Sequence, residues 1–391
     1  MDAQRIRIIH AADLHLESSF ASLGVGSETG NRLREAQRTV LRRILDVARQ
    51  WPADAVCIAG DLFDSIYVGE AVLREVMEIL EHAAPLPVYI TPGNRDPYVQ
   101  DSPYALTLWP ENVTVFPPGA WHAVPHEELP LTVHGFGYDG ANDPQTPFGK
   151  LQISRDGRIH VAVAHGTEQG HKPPAGEVFA PFKITDVARD ELAYLAMGHF
   201  HDITEVRGEF RTVACYPGTP QGRTFNETGP RHVLKVEIAR EEREAPCVSV
   251  TPLDVSEILF ERFELDINKA SDAEGMFKAV CDRDTRKRVV RICLQGMRPA
   301  RARAIITDLQ VLACDFFLHA DTDDRTVIGT ETLLQARDNT CLSKLIDVMG
   351  ARIIDETIRE NALRECEALE LILSAGHIVE PGILKEGCLL P

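Results

Sequence analysis

Apolar residues fall in short unbroken runs along this chain, separated by amphipathic stretches. Arg5-Ile-Arg-Ile-Ile-His-Ala-Ala breaks at Asp13-Leu-His15, and Asp54-Ala-Val-Cys-Ile-Ala-Gly breaks at Asp61-Leu-Phe-Asp64. Leu86-Pro-Val-Tyr-Ile-Thr-Pro-Gly breaks at Asn94, Ile159-His-Val-Ala-Val-Ala at His165, and Leu192-Ala-Tyr-Leu-Ala-Met-Gly at His199-Phe-His201. Runs of this length and composition predict buried parallel strands. Leu33, Ala36, Val40, Ile44 and Val47 recur at helical spacing. They predict an amphipathic helix over 31–50 capped by Asn31, after a Gly/Ser loop over 22–30. Val72, Val76, Ile79 and Leu80 predict a second helix over 70–83.

Further strands are predicted at Val113–Phe116, Leu131–Gly137, Arg211–Tyr216 and His232–Ile238. Residues 1–245 thus read as one α/β domain. A charged segment between Glu241 and Leu253, with Pro246 and Pro252, predicts a boundary. Residues 253–328 read as a small α+β domain: strands at Leu259–Ile267 and Arg288–Leu294, helices at Ala270–Cys281 and Arg301–Cys314, and a short strand at Phe316–Leu318. Residues 330–391 read as a helical region, with patterns over Leu333–Met349 and Arg352–Ala375.

The 391 residues and 44% hydrophobic content suit a globular protein of two or three domains. No apolar run reaches the roughly 18 residues of a membrane span. The N-terminal apolar stretch runs straight into a strand bearing candidate chemistry, so no signal peptide is expected. Nine cysteines without a Cys-x-x-Cys pair predict free thiols and a cytoplasmic location. The net charge of −18 has the wrong sign for tight stand-alone DNA binding. It leaves a metal-dependent phosphoesterase open, because bound ions themselves meet the phosphate.

Five predicted strands therefore deliver metal-capable side chains at the same end, where ligand sites of open α/β sheets lie. The set is Asp13, His15, Asp61, Asn94, His165, His199 and His201. Two divalent ions acting on a phosphodiester need a bridging carboxylate, and imidazole and oxygen ligands to complete each sphere. Asp61 is the candidate bridge.

The pieces Asp13-Leu-His15, Gly60-Asp61-Leu-Phe-Asp64, Gly93-Asn94, His165-Gly166 and Gly198-His199-Phe-His201 resemble the calcineurin-like metallophosphoesterases. Ala11-Ala-Asp-Leu-His-Leu, Tyr216-Pro-Gly-Thr-Pro and Asn226-Glu-Thr-Gly give the chain the look of the DNA-repair exonuclease subfamily, the bacterial SbcD type. The resemblance covers residues 5 to about 240. It implies a four-layer α/β/β/α sandwich followed by a capping domain and helices, and a two-manganese site, with iron or zinc also admitted. It further implies DNA phosphodiester cleavage, dimerisation, and a partner SMC-like coiled-coil ATPase of the SbcC type. By the same resemblance, Asp13, His15, Asp61 and His201 would hold one ion, and Asp61, Asn94, His165 and His199 the other. Asp64 would stand behind the ligands or in a turn.

Arg95 departs from this pattern, since the family reads Gly-Asn-His-Asp and this chain reads Gly-Asn-Arg-Asp. The usual histidine assists the scissile phosphate and protonates the leaving oxygen. Arginine can clamp a phosphate but has no proton to give. Three readings stand: Arg95 acts electrostatically in a slowed nuclease, another imidazole (His122, His134 or His171) replaces it, or the chain is a silent metal- and DNA-binding scaffold. A small-molecule phosphodiesterase or phosphatase is the further alternative. His10 and His160 lie inside strands and read as structural, and Arg223 reads as surface decoration or a phosphate contact. Two basic groups, Arg32/Arg34/Arg38/Arg42/Arg43 and Arg283/Arg286/Lys287/Arg288/Arg291, read as solvated faces or DNA contacts.

Overall fold

Strand β1 (Gln4–Ala11) alternates outward Arg5 and Arg7 with inward Ile6 and Ile8, then is buried throughout its last four residues. The computed structural model describes residues 4–140, 148–170, 178–206, 211–241, 245–269, 272–280, 287–298 and 302–328. The helical region expected from residue 330, and His171, lie outside these residues.

Helix α1 (Ser27–Gln50) follows β1, then β2 (Ala55–Ala59), α2 (Glu70–Glu81), β3 (Val88–Thr91), the single turn α3 (Pro103–Leu106) and β4 (Val113–Val115). The second half contains β5 (His122–Pro125), β6 (Leu131–Gly135), β7 (Ile159–His165), the short α4 (Ile184–Val187), β8 (Leu192–Gly198), β9 (Thr204–Val206) and β10 (Val213–Tyr216). Strands β11 (His232–Arg240) and β12 (Cys247–Asp254) return to the first half. Two six-stranded sheets result, ordered β12-β11-β1-β2-β3-β4 and β5-β6-β7-β8-β10-β9. Strands β1 to β4 run parallel in the first, and β6, β7, β8 and β10 in the second.

Period-2 alternation sorts the side chains into layers. Ile8, Cys57, Val161, Val163 and Tyr194 meet between the sheets. Ile9, Val56 and Ile58 face the apolar stripe of α1 and α2, including Val40, Ile44, Val76 and Leu80. Ala162, Ala164 and Leu195 face outward from the second sheet onto Phe136, Phe148, Phe179 and Phe182. The layers are thus α/β/β with an aromatic-rich fourth layer, in which α4 and the turn Phe148–Lys150 are the described helical pieces.

Three expectations are corrected. Helix α1 begins at Ser27 after Gly26, so Asn31 lies inside the helix and the last four residues of the supposed loop are its first turn. Glu28 in that turn complements the positive helix terminus. The segment expected to carry a boundary holds β12, an edge strand that pairs along its length with β11, with Pro252 inside it and Pro246 just before it. Phe316–Leu318 is not a strand, since Phe316 closes a helix and the next strand starts at His319.

The first compact unit comprises Met1–Arg262, Asp282–Arg291 and Phe316–Ala320. Within it, Phe20, Leu33, Phe225, Ile258, Phe260 and Val289 form a small separate core. Strand β13 (Leu259–Asp266) is followed by α5 (Ala273–Val280), β14 (Arg288–Gln295), β15 (Met297–Arg298), α6 (Ala302–Phe316), β16 (His319–Asp324) and β17 (Val327–Ile328). Strands β13, β14 and β16 form a three-stranded sheet, and β15 pairs with β17. The second unit, Phe263–Cys281, Ile292–Asp315 and onward from Asp321, carries α5 and nearly all of α6. No helix among the described residues is long and apolar enough to cross a membrane.

Candidate metal centre

Parallel pairing places the carboxyl ends of β1, β2 and β3 side by side, and likewise those of β7 and β8. Close approach of the two sheets then brings these ends together. A methyl group on Gly198, at the end of β8, would overlap the Ala59 carbonyl of β2, so only glycine permits this crossing. Gly60 has φ +86°, and a Cβ there would strike the His165 ring.

The loops beyond the strands are tied by main-chain bonds. Asp13 donates its N–H to the Gly60 carbonyl (3.1 Å), and His15 donates to the Asp61 carbonyl (2.9 Å). Asp13, His15, Asp61 and His199 all have positive φ, at 53°, 46°, 50° and 112°. Such backbone is costly for residues with a Cβ and persists where surrounding structure enforces it. Buried Asp96 supplies part of that enforcement. Its carboxylate accepts from Phe63 N (3.0 Å), Gly93 N (2.8 Å) and Tyr104 Oη (2.6 Å), joining the loops after β2 and β3.

All seven candidate ligands converge. Asp61 Oδ2 lies 3.6 Å from His15 Nε2 and 3.8 Å from His165 Nε2. Its Oδ1 accepts the Arg95 backbone N–H at 2.9 Å. Both Asp13 oxygens face the His199 N–H, at 3.2 and 3.0 Å. Asp13, His15 and His201 form one group able to hold an ion, and Asp13, Asp61 and His165 another. The His15 and His201 ring centres are 5.3 Å apart, and those of His165 and His199 are 5.2 Å apart. Asn94 Oδ1 is 2.9 Å from His165 Nε2.

The donor set fits divalent cations on two observations. First, burial raises Asp61 to about 6, while burial and then the Asp61 charge raise Asp13 well above the usual carboxylate range. Burial also depresses His165 to about 3 and His15 well below the usual imidazole value, the latter aided by Arg223 and His201. Two buried carboxylates beside neutral imidazoles need positive charge, which an ion supplies. Second, His165 has one proton for two acceptors. The Ala59 carbonyl, 3.0 Å from Nδ1, can only accept, so Nδ1 carries the proton and Nε2 turns a lone pair toward Asn94. His15 Nε2 is likewise buried without a hydrogen-bond partner.

Behind these residues stand Asp64 and Arg223, together with Glu227 and Arg231, to which sequence reasoning assigned no role. Glu227 Oε1 is 2.8 Å from His201 Nδ1. Burial alone would raise the Glu227 carboxyl, yet the His201 bond and Arg223 hold it at about 2. Arg223 is not surface decoration: its side chain is 14% exposed and reaches Asp64 Oδ1 and Glu227 Oε1, each at 3.1 Å. Asp64 stands behind His15, 3.1 Å from Nδ1 but outside hydrogen-bond alignment. Arg231 ties the His201 and Thr219 carbonyls to Asp202. The only advance sign of Glu227 was its place in Asn226-Glu-Thr-Gly, since a contact across a loop leaves no periodicity.

A cleft of about 690 Å³ opens over the cluster, lined by His15, Asp61, Asn94, His199 and His201 and by Arg95, Arg223 and Arg262. His134 is elsewhere, buried against His160 at 3.0 Å, with His160 in turn 3.0 Å from Asp156. His122 is exposed on the edge strand β5. Neither lines the cleft. His10 is structural, bonded to Tyr194 Oη at 2.8 Å. The basic row of α1 is largely internally paired. Arg38 meets Glu17, Glu35 and Glu75; Arg42 meets Glu35 and Glu75; Arg43 meets Glu257. Lys287 pairs with Glu257, Arg288 with Glu261, and Arg291 lies 4.2 Å over the Phe225 ring.

Comparison with known proteins adds relatives to this geometry. Residues 6–202, about half of the chain, match the model of the calcineurin-like phosphoesterases. The chain is 28% identical over 319 residues to YhaO of Bacillus subtilis, an uncharacterized metallophosphoesterase, covering 75% of this chain and 72% of that protein. It is 24% identical over 275 residues to the SbcD component of the SbcCD nuclease of the same organism, covering 61% and 68%. It is also 24% identical over 237 residues to the DNA double-strand break repair protein Mre11 of Methanopyrus kandleri, covering 57% of this chain and 50% of that one.

Proposed function

This chain belongs to the calcineurin-like phosphoesterase family, and from that premise we propose that it is a two-metal phosphodiesterase acting on DNA. The observation that carries the reading is the position of Asp61 Oδ2 between His15 Nε2 and His165 Nε2, at 3.6 and 3.8 Å. Asp13, His15, Asp61 and His201 would hold one ion, and Asp61, Asn94, His165 and His199 the other. Manganese is proposed, with iron or zinc compatible with the same mixed oxygen and imidazole donors. Two ions so held would supply charge to polarise a phosphoryl oxygen and to activate a water for in-line attack.

The chain's own residues prepare that step. The Arg95 backbone N–H and the three bonds to Asp96 fix the Asp61 loop. Arg95 and Arg262 line the cleft, where guanidinium groups favour a phosphate and its developing charge, while the Arg223 guanidinium is bonded to Asp64 and Glu227. Arg95 cannot protonate a leaving oxygen, so the nuclease is slower than a histidine-bearing one. DNA is proposed as substrate on the likeness to the SbcCD and Mre11 nucleases. A dimer, and a partner SMC-like ATPase, rest on that likeness alone. The internal pairing of the α1 arginines favours DNA contacts at the cleft over contacts on that helix.

Arg95 also favours a second reading, a metal- and DNA-binding scaffold without turnover. The test is manganese-dependent cleavage of end-labelled single- and double-stranded DNA by the chain and by Asp61→Ala, with bis-p-nitrophenyl phosphate alongside. The proposal expects DNA cleavage that vanishes in Asp61→Ala. Cleavage of the small ester alone would shift the substrate to a small molecule, and silence on both would favour the scaffold.

A further inference from the structure

One arginine joins two carboxylates, and each carboxylate backs a different candidate ligand of the same ion. Arg223 donates from Nη1 to Asp64 Oδ1 and from Nη2 to Glu227 Oε1, each at 3.1 Å. Asp64 Oδ1 in turn faces His15 Nδ1 at 3.1 Å, and Glu227 Oε1 faces His201 Nδ1 at 2.8 Å. Asp64, Arg223, Glu227 and His201 form a hydrogen-bonded chain, and His15 packs against its Asp64 end outside hydrogen-bond alignment; the five groups come from four separate stretches of sequence.

We infer that Arg223 is a positioning residue for the ion held by His15 and His201, acting through Asp64 and Glu227. This rests on the two-metal reading above. Both Glu227 oxygens accept from Arg223, Oε1 from Nη2 and Oε2 from the backbone N–H, so Oε1 accepts from His201 as well; the His201 proton sits on Nδ1 and the Nε2 lone pair is left for the ion. Arg223 Nη2, 3.3 Å from His201 Nδ1, therefore meets an N–H and makes no bond to it. Its work is on the carboxylates. The planar fork separates its two donors so that Asp64 and Glu227 are held apart, one behind each imidazole. Glu227 is anchored twice, since its Oε2 also accepts the Arg223 backbone N–H at 2.7 Å. Phe225, between them in sequence, is locked into the core with Phe260 and lies under Arg291. Outer partners of this kind fix the tautomer and orientation of ligating histidines.

The test is manganese titration of the full chain, stripped of metal by chelation, followed by calorimetry and by electron paramagnetic resonance. Variants are Arg223→Ala, Arg223→Lys and Glu227→Gln, each checked for its metal-free melting temperature. Wild type is expected to bind two ions and give the spectrum of a coupled pair. Arg223→Ala is expected to bind one of them about 10- to 100-fold more weakly, the other unchanged, with loss of the coupled signal. Glu227→Gln is expected to weaken the same ion, and the double variant by no more than the stronger single. Arg223→Lys, which keeps the charge but not the fork, is expected to show a smaller loss at that same ion and provides the readout if Arg223→Ala does not fold. Wild-type affinity for both ions in folded variants, even with a lowered melting temperature, would overturn the role of Arg223. Equal weakening of both ions would do the same. A wild-type chain that binds no ion would instead overturn the two-metal reading itself.

Discussion

Arg95 donates its backbone N–H to Asp61 Oδ1 at 2.9 Å. The bridge candidate is therefore steadied by main chain, independently of the side chain at position 95. Replacing Arg95 by His should keep that bond and restore a proton donor at the cleft. A positioned acid contributes about 100- to 10,000-fold. Arg95→His is expected to raise kcat on labelled DNA and on bis-p-nitrophenyl phosphate by at least about 10-fold, with an unchanged melting temperature. An equal or lower kcat would show that the guanidinium itself carries the chemistry.

The crossing of β8 over β2 depends on the missing side chain of Gly198. A Cβ there would overlap the Ala59 carbonyl, which is backbone and cannot yield cheaply. Gly198→Ala is expected to cost about 3 kcal/mol or more. Urea unfolding measures this directly. A loss below about 1 kcal/mol would mean that the strand ends are farther apart than described.

His134 and His160 provide a pH-dependent element away from the cleft. Burial, and then the His160 ring, lowers His134 from 6.5 to about 4. Below pH 6.5 the unfolded chain takes up a proton that the folded chain refuses until about pH 4. Stability is therefore present above pH 6.5 and is lost as pH falls through that window. Between pH 7 and 4.5 the wild type is expected to lose roughly 1–2 kcal/mol more than His134→Asn, read by denaturant midpoints at each pH. Equal losses would contradict this sign.

The sites of convergence are legible in the sequence because parallel strands end at one edge, and each apolar run here ends in a polar residue of definite chemistry. Asp13, Asp61, Asn94, His165 and His199 can be placed from that pattern alone. What stays hidden lies in loops or in long-range pairing. The positive φ of Asp13, His15, Asp61 and His199 has no mark in residue type, because non-glycine side chains seldom adopt it. Arg223 meets Asp64 across 159 positions of sequence, and no local period encodes that contact. The basic row of α1 reads as a solvated or DNA-facing surface, because its partners Glu75 and Glu257 come from other elements. The start of α1 is obscured because Gly24 and Gly26 make the following turn read as loop.

The most direct test of the central claim is anomalous diffraction from crystals of the chain grown with manganese. Two anomalous peaks are expected, about 3.5–4 Å apart. Asp61 should lie between them, with His15 and His201 at one and His165 and His199 at the other. A single peak, or peaks away from Asp61, would contradict a two-metal phosphodiesterase built on that carboxylate.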